Sequence, residues 1–147
     1  MSKLRNVYLD FAATSPLDER ALDLALPYLR EDFGNANSLH TFGRRAQSAL
    51  EDGRKKIAEF LDLESSNIYF TSGATEANNW VLHGVYKMMR QARPNQVLHF
   101  VISAFEHPSI MEAARHFLAK QPQVEITYVQ PTAEGIIEAS AVEAALR

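Results

Sequence analysis

The chain has 147 residues, 46% hydrophobic and 22% charged, which fits one globular domain and excludes a disordered or fibrous chain. A net charge of −3 provides no basic surface for nucleic acid or anionic lipid, and no apolar run is long enough to span a bilayer. With no cysteine, disulfides, thiolate metal sites and a catalytic thiol are excluded within these residues; with no signal-like start, the sequence reads as cytoplasmic.

In chain order, residues 6–11 (Asn-Val-Tyr-Leu-Asp-Phe) read as a short extended segment, followed by the small-residue turn Ala12-Ala13-Thr14-Ser15-Pro16. Asp18 is placed to cap a helix carrying Leu17, Ala21, Leu24, Ala25, Tyr28 and Leu29 on one face, and Pro27 predicts a kink or an early end. The turn formers of residues 33–38 predict a loop. A long helix is expected over about residues 39–61, with Ala46, Ala49, Leu50, Gly53, Ile57, Phe60 and Leu61 as its apolar stripe.

Residues 66–70 (Ser-Asn-Ile-Tyr-Phe) read as a buried strand, and residues 80–89 carry apolar side chains at helical spacing. Between them lies Thr71-Ser72-Gly73-Ala74-Thr75-Glu76-Ala77-Asn78-Asn79. A strand that turns through small residues into a helix aims the free N–H groups of the first helical turn at one point, where the dipole favours negative charge. Gly73 permits close approach of a ligand, and Thr71, Ser72 and Thr75 add hydroxyls, so the joint has the chemistry of a phosphate cradle. The same residues also suit simple helix capping.

Residues 91–95 break that helix, and residues 96–103 read as a second buried strand. Pro108 suits the first position of a helix holding Ile110, Ala113, Ala114, Phe117 and Leu118. Residues 124–129 read as a third strand, residues 134–137 as a turn, and residues 142–147 as an amphipathic helix running to the last residue. Strands alternating with helices mean α/β with a parallel sheet. Three strands are few for a sheet covered on both faces, so the sequence reads as the beginning of a larger domain.

Five histidines are present, none with metal-ligand spacing. His83 and His99 read as structural and His116 as a helix-surface residue; His40 follows the Asn/Ser loop. His107 sits where a strand ends and a helix begins, which is where open α/β sheets hold ligands. A capping or surface role fits that position as well. No dinucleotide fingerprint, P-loop or nucleophile elbow occurs.

Residues 8–16 (Tyr-Leu-Asp-Phe-Ala-Ala-Thr-Ser-Pro), Phe33-Gly34-Asn35 with Ser38 and His40, the 71–79 segment and Glu106-His107-Pro108, in this order and at these separations, resemble the N-terminal part of the cysteine desulfurases. These belong to the class V aminotransferase group of pyridoxal-phosphate enzymes. The resemblance runs from about residue 7 to the end. It implies an incomplete large domain of the fold type I pyridoxal-phosphate transferase fold, mainly parallel, with the first three of seven strands present. Residues 1–16 would be an N-terminal arm and 17–147 a truncated cofactor-binding large domain. By the family strand order, the strands near 97–102 and 124–129 are neighbours, and the one near 67–71 makes no ladder with them.

The resemblance also implies that Ala74 and Thr75 bind the phosphate of pyridoxal 5′-phosphate, and that His107 stacks on its pyridine ring and assists proton transfers. The family reaction converts L-cysteine to L-alanine and leaves sulfur as an enzyme persulfide for iron–sulfur cluster or thio-cofactor assembly. A homodimer and sulfur-acceptor proteins are the implied partners. The family's cofactor-bonding lysine and persulfide-forming cysteine fall beyond residue 147, so these residues alone are expected to be inactive. Another class V aminotransferase, a selenocysteine lyase and a non-enzymatic partner-binding module remain open as alternatives.

Overall fold

Strands β1 (Leu98–Ser103) and β2 (Val124–Val129) pair in parallel in the computed structural model, which describes residues 6–147. Leu98 faces Val124, Phe100 faces Ile126 and Ile102 faces Tyr128. Because side chains alternate along a strand, these six apolar residues share one face. That face meets α3 (Ala74–Ala92) and α4 (Pro108–His116). Ile102, Ala114 and Leu118 form the buried centre, with Leu82, Tyr86, Ile110 and Phe117 packed around it. On the other face His99 Nε2 meets Thr127 Oγ1 at 2.8 Å, the structural place its position in a strand predicts.

The chain divides into two compact units, one ending at Tyr69 and one spanning Phe70–Arg147. The sheet and the helices just named all belong to the second. In the first, the Tyr8 hydroxyl donates to the carbonyls of Asp10 (2.9 Å) and Thr14 (3.0 Å), tying the early turn together. Helix α1 (Glu19–Arg30) starts at Asp18, whose carboxylate accepts the Arg20 N–H at 2.9 Å. Pro27 does not end it early: the Glu31 N–H reaches the Pro27 carbonyl at 2.8 Å and closes the last turn. Helix α2 (Thr41–Leu61) begins at His40, whose Nδ1 accepts the Gly43 N–H, and stops at Asp62 in the left-handed region (φ 54°). The Leu63 N–H then returns to the Ala58 carbonyl, which completes the cap.

Before α2 the 34–38 loop lies against the helix start. A Cβ on Gly43 would stand 2.7 Å from the Asn35 carbonyl oxygen, and one on Gly34 3.0 Å from the Gly43 nitrogen. Both positions therefore exclude any side chain.

Three expectations are corrected. The strand predicted at residues 66–70 does not form: Ser65–Asn67 is a 3-10 turn, and residues 68–71 make no ladder among the described residues. Ile68 keeps an extended backbone (φ −99°, ψ 122°), so the local preference is expressed without a partner strand to pair with. The sheet thus has two strands, β1 and β2, adjacent and parallel as the family order implies. The last helix, α5 (Ala139–Ala145), ends before the last residue, since Leu146 is extended and Arg147 pairs instead with Glu125 of β2. Finally, the apolar stripe read in α2 is not a buried one: Phe60 is 88% exposed, and Leu50, Ile57 and Leu61 are also exposed.

Arg90 sets where α3 ends relative to the sheet. Its Nη1 donates to the Gln96 carbonyl at 2.8 Å, its Nη2 to the Pro122 carbonyl at 2.8 Å and the Gln123 carbonyl at 3.1 Å, and the guanidinium lies over the Tyr86 ring at 5.8 Å. One fork thus grips the chain just before both strands. A lysine ammonium has the charge without the planar fork. Arg90→Lys is expected to cost up to about 1.5–3 kcal/mol, the range for hydrogen bonds to a charged group, read as a lowered urea midpoint.

Candidate functional site

Arg90 fixes the C-terminal end of α3 at the starts of the strands, so the N-terminal end of α3 lies toward the strand ends. Helix α4 also begins there, just after β1, where the Ala104 N–H bonds the Val129 carbonyl at 2.8 Å. From these helix starts an open cavity of about 540 Å³ extends along α4 to its end, lined by Thr75 and Asn79 of α3 and by His107, Ser109, Glu112 and His116. Its size is that of a small-molecule site. Of the three residues singled out in the sequence, Thr75 and His107 line this cavity together. Ala74 occupies the first position of α3 beside them.

At the start of α3 the N-cap is Gly73, and no side chain caps the helix. The first intrahelical bond runs from the Ala77 N–H to the Gly73 carbonyl, so the amides of Ala74 and Thr75 precede the ladder. Open space surrounds the point where a Gly73 Cβ would stand. One charge is already present: Glu76 Oε2 accepts the Ser72 N–H at 2.6 Å and the Ser72 hydroxyl at 2.8 Å. This resembles a capping box displaced by one residue, with the third helical residue reaching back to an N–H before the helix. The Thr71 hydroxyl turns to the Gly73 carbonyl at 3.2 Å. Thr71 and Ser72 are thus engaged locally, and Ala74 and Thr75 are the cradle positions with donors to offer.

His107 has two functions in the geometry. It caps α4, its Nδ1 accepting the Ser109 N–H at 3.1 Å, and its ring lines the cavity. Pro108 follows at the first helical position, as its fixed φ and missing N–H favour. His116 lies on the helix surface as expected, but it meets Glu112 at 2.8 Å one turn earlier, and both reach the cavity wall. His83 stacks on Phe117 with ring centroids 3.5 Å apart, a packing role.

Sequence reading missed Asn78 and Ser109. Asn78 Nδ2 donates to Ser109 Oγ at 2.9 Å, joining α3 to α4 at the cavity wall. The visible signal for Ser109 is its position two residues after a histidine that precedes a helix. For Asn78 no local signal exists, because its partner is 31 residues away. Among the described residues no cluster of histidines and carboxylates could hold a metal ion.

The bonds from Ser72, the backbone N–H foremost and then the hydroxyl, hold the Glu76 carboxyl below its ordinary value. A carboxyl lowered by folding adds stability above its unfolded-state value, about 4.3 for glutamate, and loses it as pH falls through the folded value. The protection factors of the Ser72 and Ala77 amides, observed exchange corrected for its intrinsic pH dependence, are therefore expected to hold at neutral pH and to fall in acid below the ordinary glutamate range. In Glu76→Gln that acid-dependent step is expected to be missing from the hydrogen-exchange profile.

The aminotransferase class-V family matches residues 7–147. A cysteine desulfurase IscS of Dictyoglomus turgidum is 41% identical over 143 residues, covering 97% of this chain and 35% of that protein. Among solved structures, a NifS-like protein superposes with a TM-score of 0.84 at 30% identity, covering 97% of this chain and 37% of its own. SspA in complex with cysteine gives 0.80 at 30% identity, covering 95% and 39%. The chain thus spans about a third of the length of these relatives. It belongs to the class-V aminotransferase family and shares its fold with the corresponding part of the NifS-like proteins.

Proposed function

We propose that this chain builds the phosphate- and ring-facing wall of a pyridoxal 5′-phosphate site, and that its reaction is the desulfuration of L-cysteine to L-alanine, with sulfur passed to an enzyme persulfide. The observation that carries the reading is the shared cavity of Thr75 and His107, in a chain 41% identical to a cysteine desulfurase. The residues present fit the cofactor's polar ends. The uncapped start of α3 offers the amides of Ala74 and Thr75 and the Thr75 hydroxyl to a phosphate, and the imidazole of His107 stands across the same space.

Pyridoxal phosphate, when bound, supplies an electron sink for the carbon that bears the substrate amine. The chain's own residues bind and orient it. Ala74 and Thr75 hold the phosphate by charge-assisted hydrogen bonds. His107 would lie against the ring and would hold its proton at Nε2, since Nδ1 is taken by Ser109. Two groups the reaction requires are not supplied by the residues at hand. The 147 residues contain no cysteine to accept sulfur, and none of Lys55, Lys56, Lys87 and Lys120 lines the cavity. Under the same reading the reaction serves iron–sulfur cluster or thio-cofactor assembly in the cytoplasm, through a homodimer that delivers sulfur to acceptor proteins. The identity to cysteine desulfurases supports these roles.

Two measurements test the proposal. Titration of the 15N-labelled chain with pyridoxal phosphate is expected to move the amide signals of Ala74, Thr75 and His107 first. Thr75→Ala is expected to weaken that binding about tenfold, as loss of a bond to a charged group does. Signal changes confined to residues away from the starts of α3 and α4 would refute the site. Incubated with L-cysteine and pyridoxal phosphate, the 147 residues alone are expected to release no sulfide above a protein-free control.

A further inference from the structure

At the cavity wall a short chain of hydrogen bonds has a fixed direction. The Ser109 N–H donates to His107 Nδ1 at 3.1 Å, and an amide N–H cannot do otherwise. Nδ1 is therefore an acceptor, and the neutral ring carries its proton on Nε2. Ser109 Oγ lies 2.9 Å from the same Nδ1 and receives the Asn78 amide Nδ2 at 2.9 Å. Because Nδ1 is an acceptor, the serine hydroxyl meets it with its proton, and the Asn78 amide on the serine oxygen favours the same orientation. Ser109 is buried at 8% exposure, so water does not compete freely for these bonds. Asn78 lies one turn after the cradle, and its neighbour Asn79 lines the cavity.

We propose that Asn78 and Ser109 are positioning residues, which relay a hydrogen-bond direction from the cradle helix α3 to His107 and hold its ring with a proton on Nε2. Resting on the cofactor-site reading above, the relay makes His107 a donor toward a bound ligand at the outset. It also ties the ring to the helix that holds the phosphate, so both ends of one ligand are referred to a common frame. The Ser109 N–H alone already makes Nδ1 an acceptor; the serine hydroxyl and the Asn78 amide reinforce that direction and tie the ring to α3.

The test reverses that direction. Asn78→Asp replaces a donor by a carboxylate that only accepts. It takes the Ser109 hydroxyl proton, and the serine oxygen then offers a lone pair to Nδ1. In mildly alkaline buffer, long-range 1H–15N spectra of the histidine-labelled chain read the ring tautomer directly. The unsubstituted chain is expected to show His107 with a bare Nδ1. The Asn78→Asp variant is expected to raise the Nδ1-protonated share on the order of fivefold, the scale of one hydrogen bond. Ser109→Ala in that background is expected to cancel the rise, whereas Ser109→Thr alone, which keeps the hydroxyl, is expected to leave the tautomer as it was. Should Asn78→Asp not fold, Asn78→Ala is expected to move the tautomer in the same direction by a smaller amount. An unchanged tautomer in a folded Asn78 variant would overturn the relay. The titration with pyridoxal phosphate fails or succeeds separately, so loss of the cofactor reading and loss of the relay give different results.

Discussion

Parallel pairing of β1 with β2 is the constraint from which the site follows. Two parallel neighbours cannot be joined by a tight turn; the chain must leave the end of one strand and travel back to the start of the next. Helix α4 is the first part of that return, so His107 has to stand at the strand ends. Helix α3 approaches the sheet in the opposite sense, with Arg90 held at the strand starts, and this carries Thr75 to the same edge. The cavity is thus a product of topology, and the side chains that line it are those that α3 and α4 present.

Much of this was legible because it is local. Asp18 as a cap, Pro108 at a first helical position and the apolar alternation of β2 depend on residues within a turn or two of each other. The failures share a different cause. Residues 68–71 have a strand's composition and, at Ile68, a strand's dihedrals, but a strand is defined by a partner, and no local pattern specifies one. His107 was placed between a strand and a helix, where it does stand, yet its link to α3 runs through Ser109 to Asn78, a contact that appears only once α3 and α4 are side by side. The apolar stripe of α2 makes the same point in reverse: periodicity gave a helix, and the exposure of Phe60 shows that a stripe does not bury itself.

The start of α3 combines two requirements that oppose each other. The phosphate site proposed for it needs donors left unpaired, and a stable helix needs them satisfied. Glu76 reconciles these by satisfying Ser72, just outside the helix, while the amides of Ala74 and Thr75 remain ahead of the ladder. The carboxylate supplies the negative charge that the helix dipole favours, without occupying the donors that a ligand would use. The separation is one residue wide, so the order of residues 72–76 matters more than their composition.

The contact between the 34–38 loop and the start of α2 has a genetic consequence. The surface that excludes a side chain is main chain at Gly34, and at Gly43 it is main chain apart from the Ser38 Cβ, whose loss would leave the Asn35 carbonyl in place. An overpacked core can be relieved by a smaller neighbour, but a carbonyl oxygen or an amide nitrogen has no smaller allele. Suppressors of a Gly34 or Gly43 lesion should therefore be absent from the residues that touch it, and arise, if at all, as insertions or deletions that lengthen or shorten the loop. The two positions form a pair that cannot drift one substitution at a time.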